Sequence, residues 1–190
     1  MNKHDAQIQL KHNFTTAMLT LGAIEVLNSD SILTLENKSV LIKEEKIIFN
    51  PNPLDFNAWK YHFDFNQVIA NYQNDREKHV VSVMELYKSM RRALIKESYE
   101  VLKSYAKKTN QSLKLEQANW YRFATIIRNA ITHDFHFEFS KYDLNAMPLT
   151  WKNVMIDCSL KGNPISDEQL PHGVSFDLHM EMNDFLNQMD

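Results

Sequence analysis

The chain has 190 residues, 44% of them hydrophobic and 24% charged, with a formal net charge of −3. Those values fit one globular domain with a real core, residues 1–190, and exclude a disordered chain. A single cysteine, Cys158, rules out an internal disulfide and any metal centre built on several thiolates, and points to a reducing, cytoplasmic setting. Only three glycines and five prolines interrupt the chain, so long helices are expected to dominate.

In chain order, residues 5–28 carry Ile8, Leu10, Phe14, Met18, Leu21 and Ile24 at spacings of three and four, which predicts an amphipathic first helix. Its most apolar run, AMLTLGAIEVL at 17–27, is too short to span a bilayer and lacks a basic leader, so no membrane association is expected. Residues 31–50 are β-branched and broken by polar turns, which predicts a small hairpin-like insertion. NPNPLD then reads as a loop, because proline disfavours helix in the residue before it. From Asp64 to about Asn110 two helices are expected, with Tyr87, Met90, Leu94, Ile95, Tyr99, Leu102 and Tyr105 as the buried stripe. The polar linker KKTNQS leads to a further helix beginning near Leu115. Beyond it FHFEF alternates, TWKNVMID and SLKGNPI read as short strands around a Gly-Asn-Pro turn, and Ser175 is the expected N-cap of a final helix. The chain thus divides into an N-terminal helix and insertion (1–56), a helical core (57–136) and a strand-containing tail with a last helix (137–190).

The helix after Leu115 concentrates the chemistry. At 100° per residue, Trp120, Phe123, Ala124, Ile126, Ile127, Ala130 and Ile131 share one arc, while Arg122, Thr125, Arg128, Asn129, Thr132, His133 and His136 share the other. Arg128 and His133 lie about 140° apart at the edges of the polar arc, with Asn129 and Thr125 between them. Asp134 would project into the apolar arc, so the helix should end near His133.

Charge is distributed unevenly around this helix. From Lys88 to Arg128 there are ten basic and three acidic residues, and from Asp134 to Asp190 ten acids face three lysines. Such a basic block can hold a polyanion, with Arg91, Arg92, Lys96 and Arg122 as candidate RNA contacts; the alternative is a set of solvated helix faces that differ only in sign.

Three readings of the polar arc stand beside one another. The arc can be a solvated face. His133, Asp134, His136 and Glu138 offer imidazole and carboxylate ligands for zinc, but no third histidine lies at a recognised spacing. Cys158 and the histidines form no nucleophile motif. The third reading is phosphodiester cleavage without metal or cofactor. RNA carries its own nucleophile, the 2′-hydroxyl, so a histidine to move protons and an arginine to hold the phosphorane would suffice. One chain supplies one histidine; a two-fold dimer would supply two, facing each other with both arginines.

At RNAITHDF, residues 128–135, the sequence resembles the HEPN domains, a family of helical nucleotide-binding and RNA-cleaving modules. Their signature is an arginine and a histidine separated by four to six residues, commonly with a polar residue after the arginine. The likeness covers roughly residues 64–139, and the PLTW segment and acidic last helix are similar to plasmid- and defence-associated members. It implies a mainly α-helical up-down bundle of four to five helices, to which the strand-like stretches read above would add short β-hairpins. It also implies Arg128 and His133 as the catalytic pair, Asn129 orienting the histidine or contacting phosphate, no metal or cofactor, a homodimer acting on RNA, and a toxin or defence role with a possible antitoxin partner. The alternative it implies is a non-catalytic module binding a nucleotide, RNA or protein. The 31–50 insertion and the strand-like tail lie outside the minimal four-helix bundle.

Overall fold

The structure is a computed structural model and describes residues 1–43, 46–49, 61–166 and 168–189. It is mainly helical with short antiparallel β additions, as expected. The NPNPLD loop lies outside the described residues. The chain separates into two compact units, Thr20–Lys88 and a larger one formed by Met1–Leu19 with Ser89–Asp190.

Two long helices, α1 (Lys3–Leu27) and α3 (Arg76–Lys108), contribute to both units. The 33 residues of α3 contain no glycine or proline, so nothing breaks its hydrogen-bond ladder. Its end is specified by Asn110, whose φ of 57° lets the Gln111 N–H reach back to the Ala106 carbonyl at 2.7 Å and the Asn110 N–H to that of Lys107 at 3.4 Å. Asparagine tolerates this left-handed position, and Lys107 and Lys108 in the last turn complement the helix dipole.

In the smaller unit, β1 (Ser39–Lys43) pairs antiparallel with both β2 (Lys46–Phe49) and β3 (Tyr61–Asp64), giving the order β2-β1-β3. The hairpin-like reading of 31–50 is met by β1 and β2, preceded by a 3-10 turn at Asp30–Leu35. The helix α2 (Asn66–Asn74) follows. Polar ties organise this unit: Tyr72 donates to Asp30 at 2.7 Å, and His79, buried, meets the Leu27 carbonyl through Nε2 at 2.8 Å.

The larger unit holds the main core. Phe123, Ile126, Ile127, Ala130 and Ile131 of α5 (Tyr121–Thr132) join Ala6 and Leu10 of α1, Ile95 and Leu102 of α3, and Leu178, Met182 and Leu186 of α7 (His172–Gln188). Trp120 meets Phe185 edge-on at 5.6 Å, and Phe123 packs on Trp151 at 5.2 Å. Each large side chain removed from water contributes about 1.5–3 kcal/mol, so the apolar arc read from sequence fixes the placement of α5.

Four local expectations are corrected. The helix expected from Leu115 is broken into α4 (Ser112–Glu116) and α5, because the chain turns at Gln117–Trp120 and buries Trp120. TWKNVMID is itself a complete hairpin, β4 (Leu149–Trp151) with β5 (Val154–Ile156), turning at Lys152 with φ 51°. SLKGNPI is not a strand: Cys158–Leu160 is a 3-10 turn, and residues 162–165 bond to Phe135 and Phe137. Ser175 does not cap the last helix, which starts at His172 behind Pro171; it lies one turn inside, buried.

Candidate functional site

The helix α5 stops where the sequence suggests. His133 is its C-cap, and its N–H still reaches the Asn129 carbonyl at 3.0 Å. Asp134 and Phe135 then adopt φ of 55° and 58°. Two successive non-glycine residues in the left-handed region cost about 1–2 kcal/mol each. Burial of the Phe135 ring and a 2.7 Å bond from the Ile165 N–H to its carbonyl offset this. The turn sends FHFEF back along the helix, with Phe135, Phe137 and Phe139 buried and His136 and Glu138 exposed, which is the alternation read from sequence.

Between the helix and this returning segment lies a cleft of about 610 Å³. One wall is the polar face of α5: Tyr121, Thr125, Asn129 and His133, one per turn, with Arg122 beside them. The other wall is Glu138, Phe139, Ser140, Tyr142 and Asp143, and Glu116 from α4 also lines the cleft. The second wall is held by a capping box at the start of α6 (Lys141–Leu144). Asp143, buried, accepts from the Ser140 N–H at 2.9 Å and its hydroxyl at 2.6 Å, while its own N–H donates to that hydroxyl oxygen. Arg122 spans the cleft. Its Nη1 is 4.0 Å from Asp143 Oδ1, and its guanidinium carbon lies 3.8 Å from the centre of the exposed Tyr142 ring.

Arg128 sits on the opposite edge of the polar face. Its Nη2 donates to Glu100 of α3 in a short ion pair, and its Nη1 donates to Asn129 Oδ1 at 3.0 Å. Its Nε is shielded and has no hydrogen-bond partner among the described residues. The guanidinium also lies 5.7 Å from the Tyr99 ring. Tyr99 is fixed in turn: Thr125 donates to the Tyr121 carbonyl at 2.9 Å, leaving its oxygen to accept from the Tyr99 hydroxyl at 2.8 Å. Burial raises the pKa of that hydroxyl well above its ordinary value, so it remains a donor. Arg128 does not line the cleft, whereas Asn129 touches both Arg128 and the cleft that His133 lines.

The four candidate RNA contacts separate. Arg122 is in the cleft. Lys96 is part-exposed, 3.8 Å from Glu97. Arg92 donates to the Ile131 carbonyl at 2.9 Å and lies 5.5 Å from the Phe135 ring, so it closes the C-terminal end of α5. Arg91 is corrected: only 4% exposed, it donates to Ser175 Oγ at 3.0 Å and the Leu170 carbonyl at 2.7 Å, an internal tie to the start of α7. A buried arginine on an otherwise basic helix has no sequence mark of its own.

Nothing in the sequence marks Glu100, Tyr142 or Asp143 as site residues. SKYD at 140–143 does match a capping box, a signal that locates a helix start, although nothing in it says that a cleft follows. Among the described residues no group of three or more His, Cys, Asp or Glu is placed to hold a metal ion, and His133, Asp134, His136 and Glu138 do not converge as ligands. No helix among those residues is long and apolar enough to cross a membrane. Comparison with known protein families, with curated proteins and with solved structures finds no match to this chain.

Proposed function

We propose that the protein is a metal-independent endoribonuclease of the HEPN kind, acting as a homodimer on RNA. One observation carries this reading: α5 ends so that Asn129 is bonded to Arg128 on one side and lines the cleft of His133 on the other. In the reaction, the His133 imidazole takes the proton from a ribose 2′-hydroxyl, whose oxygen attacks the adjacent phosphorus. The bond from phosphorus to the 5′-oxygen breaks, and a protonated imidazole, supplied by the second copy's His133, gives that oxygen its proton. Arg128 stabilises the charge on the phosphorane. The products are a 2′,3′-cyclic phosphate and a 5′-hydroxyl.

The Glu100 pair bears on Arg128. Both side chains are partly exposed, at 30% and 40%, and such a pair contributes about 1 kcal/mol or less. That is enough to orient a guanidinium and too little to withhold it from a phosphate offering two oxygens. A cellular nuclease of this type needs restraint, which fits a toxin or defence protein held by an antitoxin in the cytoplasm.

Incubating the protein and its His133→Ala variant with total RNA, with and without chelator, tests the reading. Fragments ending in cyclic phosphate should form with the parent protein in chelator and be lost in the variant. Equal cleavage by the variant removes the catalytic assignment.

A second reading has its own support. Among the described residues, Glu116, Glu138 and Asp143 line the cleft with only Arg122 as a permanent cation, and Arg128 already has a carboxylate partner. Those features suit a non-catalytic module that binds a nucleotide, RNA or protein; RNA or ligand binding with no product in the same assay would favour it.

A further inference from the structure

Glu116, Glu138 and Asp143 line the cleft beside His133, which suits a base turned in from the strand with its ribose at the imidazole better than a run of several phosphates. We propose that the cleft is a guanine-selective subsite, a reading that rests on the protein acting on single-stranded RNA.

Three features converge. First, about 610 Å³ lies within the usual range for sites that enclose one small organic group. Second, the Tyr142 ring is 66% exposed and braced by the Arg122 guanidinium at 3.8 Å, which is itself near buried Asp143. An exposed ring held by a stacked guanidinium is a platform for an unstacked base, and base–aromatic stacking contributes about 1–3 kcal/mol per base. Third, Glu116 and Glu138 line the cleft with no hydrogen-bond or ion-pair partner among the described residues. They are available to accept from the ligand.

Carboxylates select among the bases by their edges. Guanine alone presents an imino and an amino N–H side by side, matching the two oxygens of one carboxylate. Adenine and cytosine pair an amino donor with a ring nitrogen whose lone pair repels the carboxylate. Uracil flanks its one imino donor with two carbonyls. His133 lines the same cleft, so a guanosine seated there would bring its own ribose toward the imidazole. Cleavage is therefore expected on the 3′ side of guanosine.

Binding to non-cleavable probes separates base selection from catalysis. Labelled 2′-O-methyl oligoadenylates carrying one central guanine, inosine or adenine are titrated against the protein and read by fluorescence anisotropy. The guanine probe should bind about tenfold tighter than the all-adenine probe, with inosine, which lacks the amino group, between them. The double variant Glu116→Gln/Glu138→Gln, altered only at exposed positions, should lose that preference. Tyr142→Ala should weaken all three probes by roughly tenfold, and Tyr142→Phe should restore them. Equal binding of guanine and adenine probes, or a preference that survives the double carboxamide variant, overturns the subsite. If cleavage of total RNA persists in either case, the ribonuclease reading stands without it; if guanine selection holds and no RNA is cleaved, the subsite stands and the nuclease falls.

Discussion

The two edges of the polar face of α5 are built differently. At one, Arg128 is tied to Glu100 and Asn129 and lies near the Tyr99 ring, so its guanidinium is held by contacts from α3 and α5. At the other, His133 stands at the helix end, exposed, lining an open cleft. The contrast suits a division of labour. A group that stabilises charge works best when oriented beforehand, and a group that moves protons must meet its substrate. Asn129 links them.

Removing the open edge should give the largest effect. His133→Ala is expected to lower RNA cleavage by about 10²–10⁴-fold while leaving the thermal midpoint nearly unchanged, because the imidazole is exposed. An unchanged rate in single-turnover cleavage would break the contrast outright.

The wall opposite α5 is the next target. Phe137 is fully buried between the two exposed residues of the returning segment. Phe137→Ala should cost about 3–5 kcal/mol in urea unfolding. A loss below about 1 kcal/mol would mean that the cleft's second wall is not anchored in the core.

A histidine away from both edges makes stability depend on pH. His179 is buried, bonds to Ser98 through Nδ1 at 2.8 Å and stacks on Phe14 at 5.4 Å. Burial holds its pKa down to about 4, against 6.5 ordinarily. The unfolded chain therefore binds this proton first, and stability is lost as pH falls from about 6.5 toward 4. Between pH 7 and pH 4.5 the loss from this group should be on the order of 2 kcal/mol. His179→Asn should flatten that part of the curve in urea titrations; an identical slope would place the imidazole in contact with water.

The smallest effect should come from the held edge. Glu100→Gln is expected to change stability by less than about 1 kcal/mol and to lower cleavage by about fivefold, as the guanidinium loses orientation and keeps its charge. A faster variant would show instead that Glu100 sequesters Arg128.

Much of this frame is legible in the sequence because it depends on periodicity. The apolar arc of α5, the alternation of FHFEF and the misfit of Asp134 in a continuing helix all follow from residue order. What escapes depends on tertiary partners. Nothing local distinguishes Arg91, drawn inward by Ser175 and the Leu170 carbonyl, from its neighbour Arg92. Nor does sequence bring Glu100 to Arg128 across 28 residues. The Leu115 helix divides because Trp120 is worth burying, although its residues are acceptable in one continuous helix. Ser175 looks like a cap and is an internal acceptor, since capping depends on where the preceding chain turns.

The most direct measurement uses an otherwise all-deoxy oligonucleotide carrying a single riboguanosine, incubated with the protein in chelator. If the α5 face works through the ribose hydroxyl, the strand breaks only after that ribose, leaving a cyclic phosphate upstream and a free 5′-hydroxyl downstream, and the His133→Ala protein leaves it whole. Cuts at deoxy positions, products ending in a 3′-hydroxyl, or an intact strand under conditions where the protein degrades total RNA would contradict the account.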